Sequence, residues 1–402
     1  MRVRYPRDTT GLICASLYSR GFTIVEVMIG LALSMLSMLV IVQLFSMSDA
    51  RKRATTGAAE AQQTANVSVY QLTRIVRLAG AGLTQARSLW GCPIQAYRGG
   101  TQILPPSSTF ASAPSAFVNV YSRYPTVRAI PLLILPAAAP DAVSDVIVVI
   151  AGNSETGQAE LQVLGQPAEA TLSVQRLNGV RALDLILVTV PSAISNCLIG
   201  QVDTTINATS APNTLPLGGA GTNYTATGLG GSAYNSASVP LPLGTTPMFT
   251  MFGVDSNKSL SQFDLLNLTG TATSVVAENV VDMRALYGVV SANGSGPIAW
   301  QAPNAAPWDV ASLTAGTTAA LDLVDRIRAV RIAMVFRGTE PVRDDSPPTS
   351  YVVFPDIASP ITVPISAADQ PYRYQVYDTV VPLRNLNYVP QCSTANPLPR
   401  CQ

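Results

Sequence analysis

Arg20-Gly21-Phe22-Thr23-Ile24-Val25-Glu26, followed by an apolar run that continues to Phe45, decides how the chain is organised. Between Phe22 and Phe45 the single formal charge is Glu26. At about 1.5 Å of rise per residue the run makes a helix of roughly 36 Å, enough to cross a bilayer with some tilt. A carboxylate carried to the bilayer centre costs about 2.5–3.5 kcal/mol on insertion scales, so Glu26 calls for a partner. Ahead of Phe22 lies a polar leader with Arg2, Arg4, Arg7 and Arg20 against Asp8.

This junction resembles the class III signal of type IV pilins, in which a prepilin peptidase cuts after the glycine and methylates the new N-terminal residue. The resemblance implies a leader of residues 1–21, cleavage between Gly21 and Phe22, an N-methylated Phe22, and an assembly role for Glu26. The physical chemistry agrees. Cleavage creates an α-amine one helical turn from Glu26, or within reach of Glu26 on a neighbouring chain, and so supplies the cation the carboxylate lacks. Other N-terminal signals fit less well. Cys14 follows Ile13 and only a short apolar patch, unlike a lipoprotein signal. A secretory h-region spans roughly 7–15 residues, shorter than this run. A plain membrane anchor accounts for the length but for neither the Gly-Phe junction nor Glu26.

Beyond Phe45 the pattern stays helical and turns amphipathic. Ser46 to Ala79 contains no proline, and Val69, Leu72, Val76 and Ala79 share one helical stripe with Arg74 and Arg77 off it. Gly80-Ala81-Gly82 is a stop signal. The sequence therefore predicts one helix over residues 22–79, about 87 Å long. Its first half, 22–45, is the membrane or filament-core part; its second, 46–80, packs on a head. Many major pilins carry a proline in the span; here Gln43 stands at that place and no proline occurs, so no kink is expected. Arg51-Lys52-Arg53 reads as a solvated or headgroup-level face. Arginines before the span predict a cytoplasmic leader and an exported head, but the 51–53 cluster runs against that rule. Orientation therefore rests on the resemblance.

With 48% hydrophobic and 12% charged residues, the chain is too apolar to be disordered. The formal charge is +1; without the leader it becomes about −2, which gives no general attraction for polyanions and no argument for a nucleic-acid partner. Of five cysteines, Cys14 lies in the leader. Cys92, Cys197, Cys392 and Cys401 remain, consistent with two disulfides in an oxidising compartment and three connectivities. Cys392 and Cys401 bracket a short proline-containing segment, which favours pairing them with each other and Cys92 with Cys197; four reduced thiols are the alternative. A metal site is disfavoured, since no CxxC spacing and no histidine occur.

From residue 81 to 402 the helical period gives way to short strands separated by turns, an α+β chain with a large β-rich head. The clearest runs are 145–150, 161–164, 184–190, 197–202, 248–252, 262–268, 285–290, 327–336, 351–354 and 372–383. In 327–336, Val330, Ile332, Met334 and Phe336 share a face, and the strand reads as half-buried against a helix. Two stretches break the rhythm: a proline-rich segment at about 104–140 and a Gly/Ser/Thr/Asn tract at about 203–247, read as a surface excursion.

Several islands are similar to the PilW group of minor pilins. Arg74-Ile75-Val76-Arg77-Leu78-Ala79-Gly80 resembles its arginine-bearing helix end, followed by Gly91-Cys92. Asp184-Leu185-Ile186-Leu187-Val188 leads to Asn196-Cys197. Val276 to Met283 runs into Leu286-Tyr287-Gly288-Val289. Arg328-Ala329-Val330-Arg331-Ile332 and Val380-Val381-Pro382-Leu383-Arg384-Asn385 match two late strands in kind and order. The resemblance implies a type IV pilin-like fold and a low-copy subunit that primes assembly of type IV pili, located at the tip, supporting motility and adhesion. Implied partners are prepilin peptidase, other minor pilins, the major pilin and a large tip adhesin. The implied location is the inner membrane, with a periplasmic head, and then the extracellular pilus.

No catalytic constellation is present. Without histidine there is no Ser-His-Asp or Cys-His arrangement, a Ser–Lys dyad has only Lys52 or Lys258, and the glycine clusters do not form a phosphate loop. No enzyme activity and no cofactor are expected. A minor pseudopilin of a type II secretion system shares the leader and helix and is the nearest rival. A membrane-anchored exported enzyme or binding protein is the rival of another class.

Overall fold

The computed structural model describes residues 21–83, 89–105, 117, 125–137, 144–154, 160–177, 179–190, 196–219, 221–266, 273–292, 296–341 and 347–387. Two compact units divide the chain, Met1–Thr56 and Gly57–Gln402. Helix α1, Ile24–Arg77, contributes to both. It starts where Thr23 caps it: the Glu26 N–H meets the Thr23 Oγ1 at 3.3 Å and its carbonyl at 3.0 Å. It ends just before Gly80, whose φ of +76° is open to glycine and strained for other residues. The helix runs unbroken through Gln43, as the missing proline predicts.

In the first unit, the apolar side chains from Phe22 to Met47 are all exposed. In the second, the predicted stripe holds. Leu72, Val76 and Ala79 are fully buried in the main core, joined by Ala65, with Val69 half-buried against it.

Among the described residues the head holds three sheets and two small ribbons. The first sheet has the order β10-β6-β7-β1-β2, formed by Val239–Gly244, Leu185–Thr189, Cys197–Gln201, Ile94–Arg98 and Thr101–Leu104, with β9 (Tyr224–Thr225) also on β1. Its β1–β7 pair is parallel. The second has the order β13-β12-β11-β4-β3: Thr273–Glu278, Ser259–Asp264, Met248–Val254, Val146–Ala151 and Leu132–Leu135. The third has the order β15-β14-β16-β19: Ala299–Gln301, Val280–Val289, Ile327–Arg337 and Tyr374–Pro382. The ribbons are β17–β18 (Ser350–Val353 and Ile361–Pro364) and β5–β8 (Thr171–Ser173 and Thr214–Pro216). Two short helices, α2 (Val310–Leu313) and α3 (Thr318–Asp325), precede β16.

Four expectations change. The 203–247 tract is no excursion. It supplies β8, β9 and β10, and Leu215, Leu217, Ala226, Leu229 and Tyr234 enter a second core with Leu172, Ile186 and Val188. Its glycines serve close packing: a Cβ on Gly218 (φ +74°) would lie 3.1 Å from the Thr225 Cα. Within 104–140, Leu132–Leu135 is a fully buried strand, while residues 106–116, 118–124 and 138–140 lie outside the described residues. Residues 161–164 make no strand but the Val163–Val174 bridge, and Leu161 and Val163 enter the second core. β16 is buried on both faces rather than one. Val330, Ile332, Met334 and Phe336 face the main core, as read, while Ala333 and Val335 enter a third cluster with Leu286, Val353 and Phe354. The β17–β18 ribbon provides that second cover, which strand periodicity could not reveal.

Candidate assembly site

The N-terminal part of the site is an apolar helix surface with one acid. Within Ile24–Asp49 the most apolar window has a mean hydropathy of 2.4 and none of its residues is buried, so this helix is long and apolar enough to cross a membrane. Phe22 and Ile24 are each 80% exposed. The serine hydroxyls of this stretch satisfy themselves: Ser34, Ser37 and Ser46 donate to the carbonyls of Leu31, Leu33 and Gln43 at 2.8–2.9 Å. Glu26 lies in the first turn, where the helix dipole favours a negative charge. Among the described residues no cation meets its carboxylate. Gly21 and Phe22 precede the helix without regular structure.

The second part is the seat of the helix end in the head, and it gathers residues far apart in sequence. The Gly80 N–H donates to the Ile150 carbonyl of β4 at 2.9 Å, and a Cβ there would sit 3.1 Å from the Pro131 Cβ. The Asn385 side-chain amide donates to the Leu78 and Ala79 carbonyls at 3.3 and 3.1 Å, supplying partners for carbonyls that a helix end leaves open. Gly91 (φ +80°) packs against the Gly316 backbone, where a Cβ would approach the Gly316 Cα to 3.0 Å, and its carbonyl accepts from Arg128 at 2.8 Å. Next to it Cys92 is disulfide-bonded to Cys197, with Cα atoms 5.6 Å apart, which ties the segment after the helix to the first edge of β7. Cys392 and Cys401 lie outside the described residues.

The third part is polar and buried. Asp145, just before β4, accepts the Ala137 N–H at 2.8 Å and the Ala285 N–H at 2.9 Å. Asp282 on β14 accepts from Arg284 Nε at 3.0 Å and from the Tyr351 hydroxyl at 3.2 Å, while its Oδ1 is buried without a hydrogen-bond partner. Arg284 also approaches Asp145 at 3.6 Å. Two carboxylates thus share one guanidinium. Burial pushes the Asp145 carboxyl up and raises that of Asp282 to about 6, against the pull of Arg284. Burial likewise pushes the hydroxyls of Tyr351 and Tyr287 up, and Tyr287 accepts the Ile134 N–H at 2.6 Å.

A second charged cluster lies across β16. Arg331 makes paired hydrogen bonds to Asp356 at 2.7 and 2.8 Å and further bonds to Asp378, and its guanidinium lies 5.1 Å from the Phe354 ring centre and 5.7 Å from that of Trp300. Hydrogen bonds to both aspartates hold the Arg331 proton well above the ordinary range. Sequence reading noted the Asp282 and Arg331 islands but not their partners Asp145, Tyr351, Asp356 and Asp378. A lone charge inside an apolar strand was the available signal; the partner's identity was not. Among the described residues, no group of three or more His, Cys, Asp or Glu side chains could hold a metal ion.

Residues 252–385 match the family model of PilW, described as Type IV Pilus-assembly protein W. The matched stretch begins in β11, contains the whole third sheet, and ends at Asn385, the residue that meets the helix end. No curated protein and no solved structure matches the chain.

Proposed function

We propose, from the match of residues 252–385 to the family model of PilW, Type IV Pilus-assembly protein W, that the chain is a minor pilin which initiates pilus assembly. Assembly requires one surface that is apolar in two settings, first lipid and then a bundle of neighbouring helices. The observation that carries this reading is the first half of α1, apolar on every side and unburied, with Glu26 one turn from its start. In the precursor the helix is held in the inner membrane with the leader facing prepilin peptidase. Cleavage after Gly21 leaves the Phe22 amine, methylated, as a cation.

On extraction into a growing filament, Glu26 pairs with the Phe22 amine of an adjacent subunit. That pair sets axial register, because losing one member leaves the other charge in low dielectric at about 3–5 kcal/mol. The head plays no part in this step and remains available for contacts with other minor pilins, the major pilin and a tip adhesin. A low-copy position at the tip suits a head of this size, which need not fit a crowded lattice.

The test is a deletion strain complemented with the wild-type chain or with Glu26→Ala. The variant is expected to insert in the membrane as the wild type does and to leave the surface without pili. Normal piliation by the variant would remove Glu26 from the mechanism; normal piliation of the deletion strain would remove the chain from pilus assembly.

A further inference from the structure

The third sheet ends in an open edge. At the two ends of the β16–β19 pairing the Gly338 N–H donates to the Arg373 carbonyl at 2.8 Å and the Leu383 N–H to the Arg328 carbonyl at 2.9 Å. With the register running from Ala329↔Pro382 to Arg337↔Tyr374, this turns Gln375, Tyr377, Thr379 and Val381 toward β16. The N–H and C=O groups of Val376, Asp378 and Val380 therefore point away from the sheet, and among the described residues nothing pairs with them.

The other end strands of the three sheets are guarded. β10 carries Pro240 and Pro242; β3 is buried along its length; β2 and β15 have four and three residues; and the pairing that holds β13 is bulged. β19, nine residues long, has none of these protections before its last residue, Pro382.

We propose that the β19 edge takes an extended strand from a different protein chain of the pilus system, with apolar residues over Val376 and Val380 and a basic residue beside Asp378. That the partner belongs to the pilus system rests on the reading above; the edge itself does not. Three observations select the occupant. Outward backbone donors and acceptors in strand geometry are satisfied in full only by another extended backbone. Val376 and Val380 are 42% and 48% exposed on the flank of that edge, so an added strand has apolar area to cover. Around Asp378 the flank sets two carboxylates, Asp356 and Asp378, against Arg331, which leaves one negative charge over at that point of the edge. A second copy of this chain fits poorly, because the antiparallel register that pairs Val376 with Val380 sets Asp378 opposite Asp378, and directly opposed like charges destabilise a sheet.

The experiment uses the full chain in piliated cells, with a photoreactive phenylalanine analogue at 380 or, as control, at 379. Irradiation at 380 is expected to give an adduct heavier than the chain by a mass other than its own, with at least ~5-fold lower yield at 379. Adding Val376→Pro should lower the yield at 380 at least ~5-fold, since proline removes an outward N–H and leaves the bonds to β16 in place. Asp378→Lys should do the same through charge and covers the case in which the proline variant does not fold. An adduct of twice the chain's mass, a link to the chain's own residues 388–402, equal yields at both positions, insensitivity to both variants, or no adduct would each overturn the proposal. Counting pili in the same strains keeps the two ideas apart: pili without the adduct refute the edge contact alone, and pili without the chain refute the assembly role.

Discussion

Protonation of Asp282 should make the head more stable in mild acid than at neutrality. Its carboxyl is raised to about 6 in the folded chain by burial, with one oxygen lacking any hydrogen-bond partner. The unfolded value is near 3.9. At pH 5 the folded form therefore keeps the proton that the unfolded form has lost. Stability falls as pH rises, because the folded state binds more protons, and it levels off once pH has passed the folded value. Between pH 5 and pH 7 the folded group releases on average about one pH unit's worth of binding, which is about 1.4 kcal/mol, a tenfold change in the folding constant.

Asp145, raised for the same reason, acts with the same sign. The chain contains no histidine, so no ordinary side chain masks the effect in this window. The carboxylates that are held low, Asp203, Asp309, Asp356 and Asp369, lose their contribution only as pH falls through the acid range below it. The assay is urea denaturation of the full chain in detergent at pH 5, 6 and 7, followed by tryptophan fluorescence. Trp90, Trp300 and Trp308 all lie in the head, so the signal reports that unit. Asp282→Asn should remove about 1.4 kcal/mol of the pH 5 to pH 7 difference. Greater stability of the wild type at pH 7 than at pH 5, or an Asn variant with the full wild-type slope, would refute the reasoning.

Two further changes are readable by the same denaturation. Gly80→Ala places a side chain in the left-handed region and 3.1 Å from Pro131, and should cost about 1–2 kcal/mol or more; an unchanged midpoint would show that the helix end is not held as described. Cys92→Ser with Cys197→Ser opens a loop with a sequence separation of 105 and should cost about 2–5 kcal/mol. The wild type in reductant should then match the double variant, and a midpoint insensitive to both would place the bond outside the folding energetics.

Features set by short spacing were legible before any coordinates. Glu26 is conspicuous because no other charge lies near it in a long apolar run, and Gly80 because a glycine directly after a periodic stripe marks a helix end. Val330, Ile332, Met334 and Phe336 face the core because alternation is a property of the strand itself. The 203–247 tract misled because its composition matches a loop, while its burial depends on single apolar residues such as Leu215 and Leu229 meeting Leu172 and Ile186 from elsewhere in the chain. The cover on Arg331 escaped the alternation for a related reason: the ribbon and the two aspartates that cover it come from outside its own strand.

By itself, then, the sequence determined the long helix, its apolar first half with Glu26, the place where the helix stops, and the β-rich character of the head that makes the chain α+β. All of these follow from the local periods of 3.6 and 2 and from the cost of an isolated charge. Only the tertiary structure decided that Asn385 closes the end of α1, that Asp145 and Asp282 share Arg284, that β16 is covered on both faces, and that β19 is left open. Those outcomes depend on which distant segment arrives at a surface. A strand's own residues state what it can pair with, but whether a neighbour comes is settled by the chain's topology and by the burial that topology makes available.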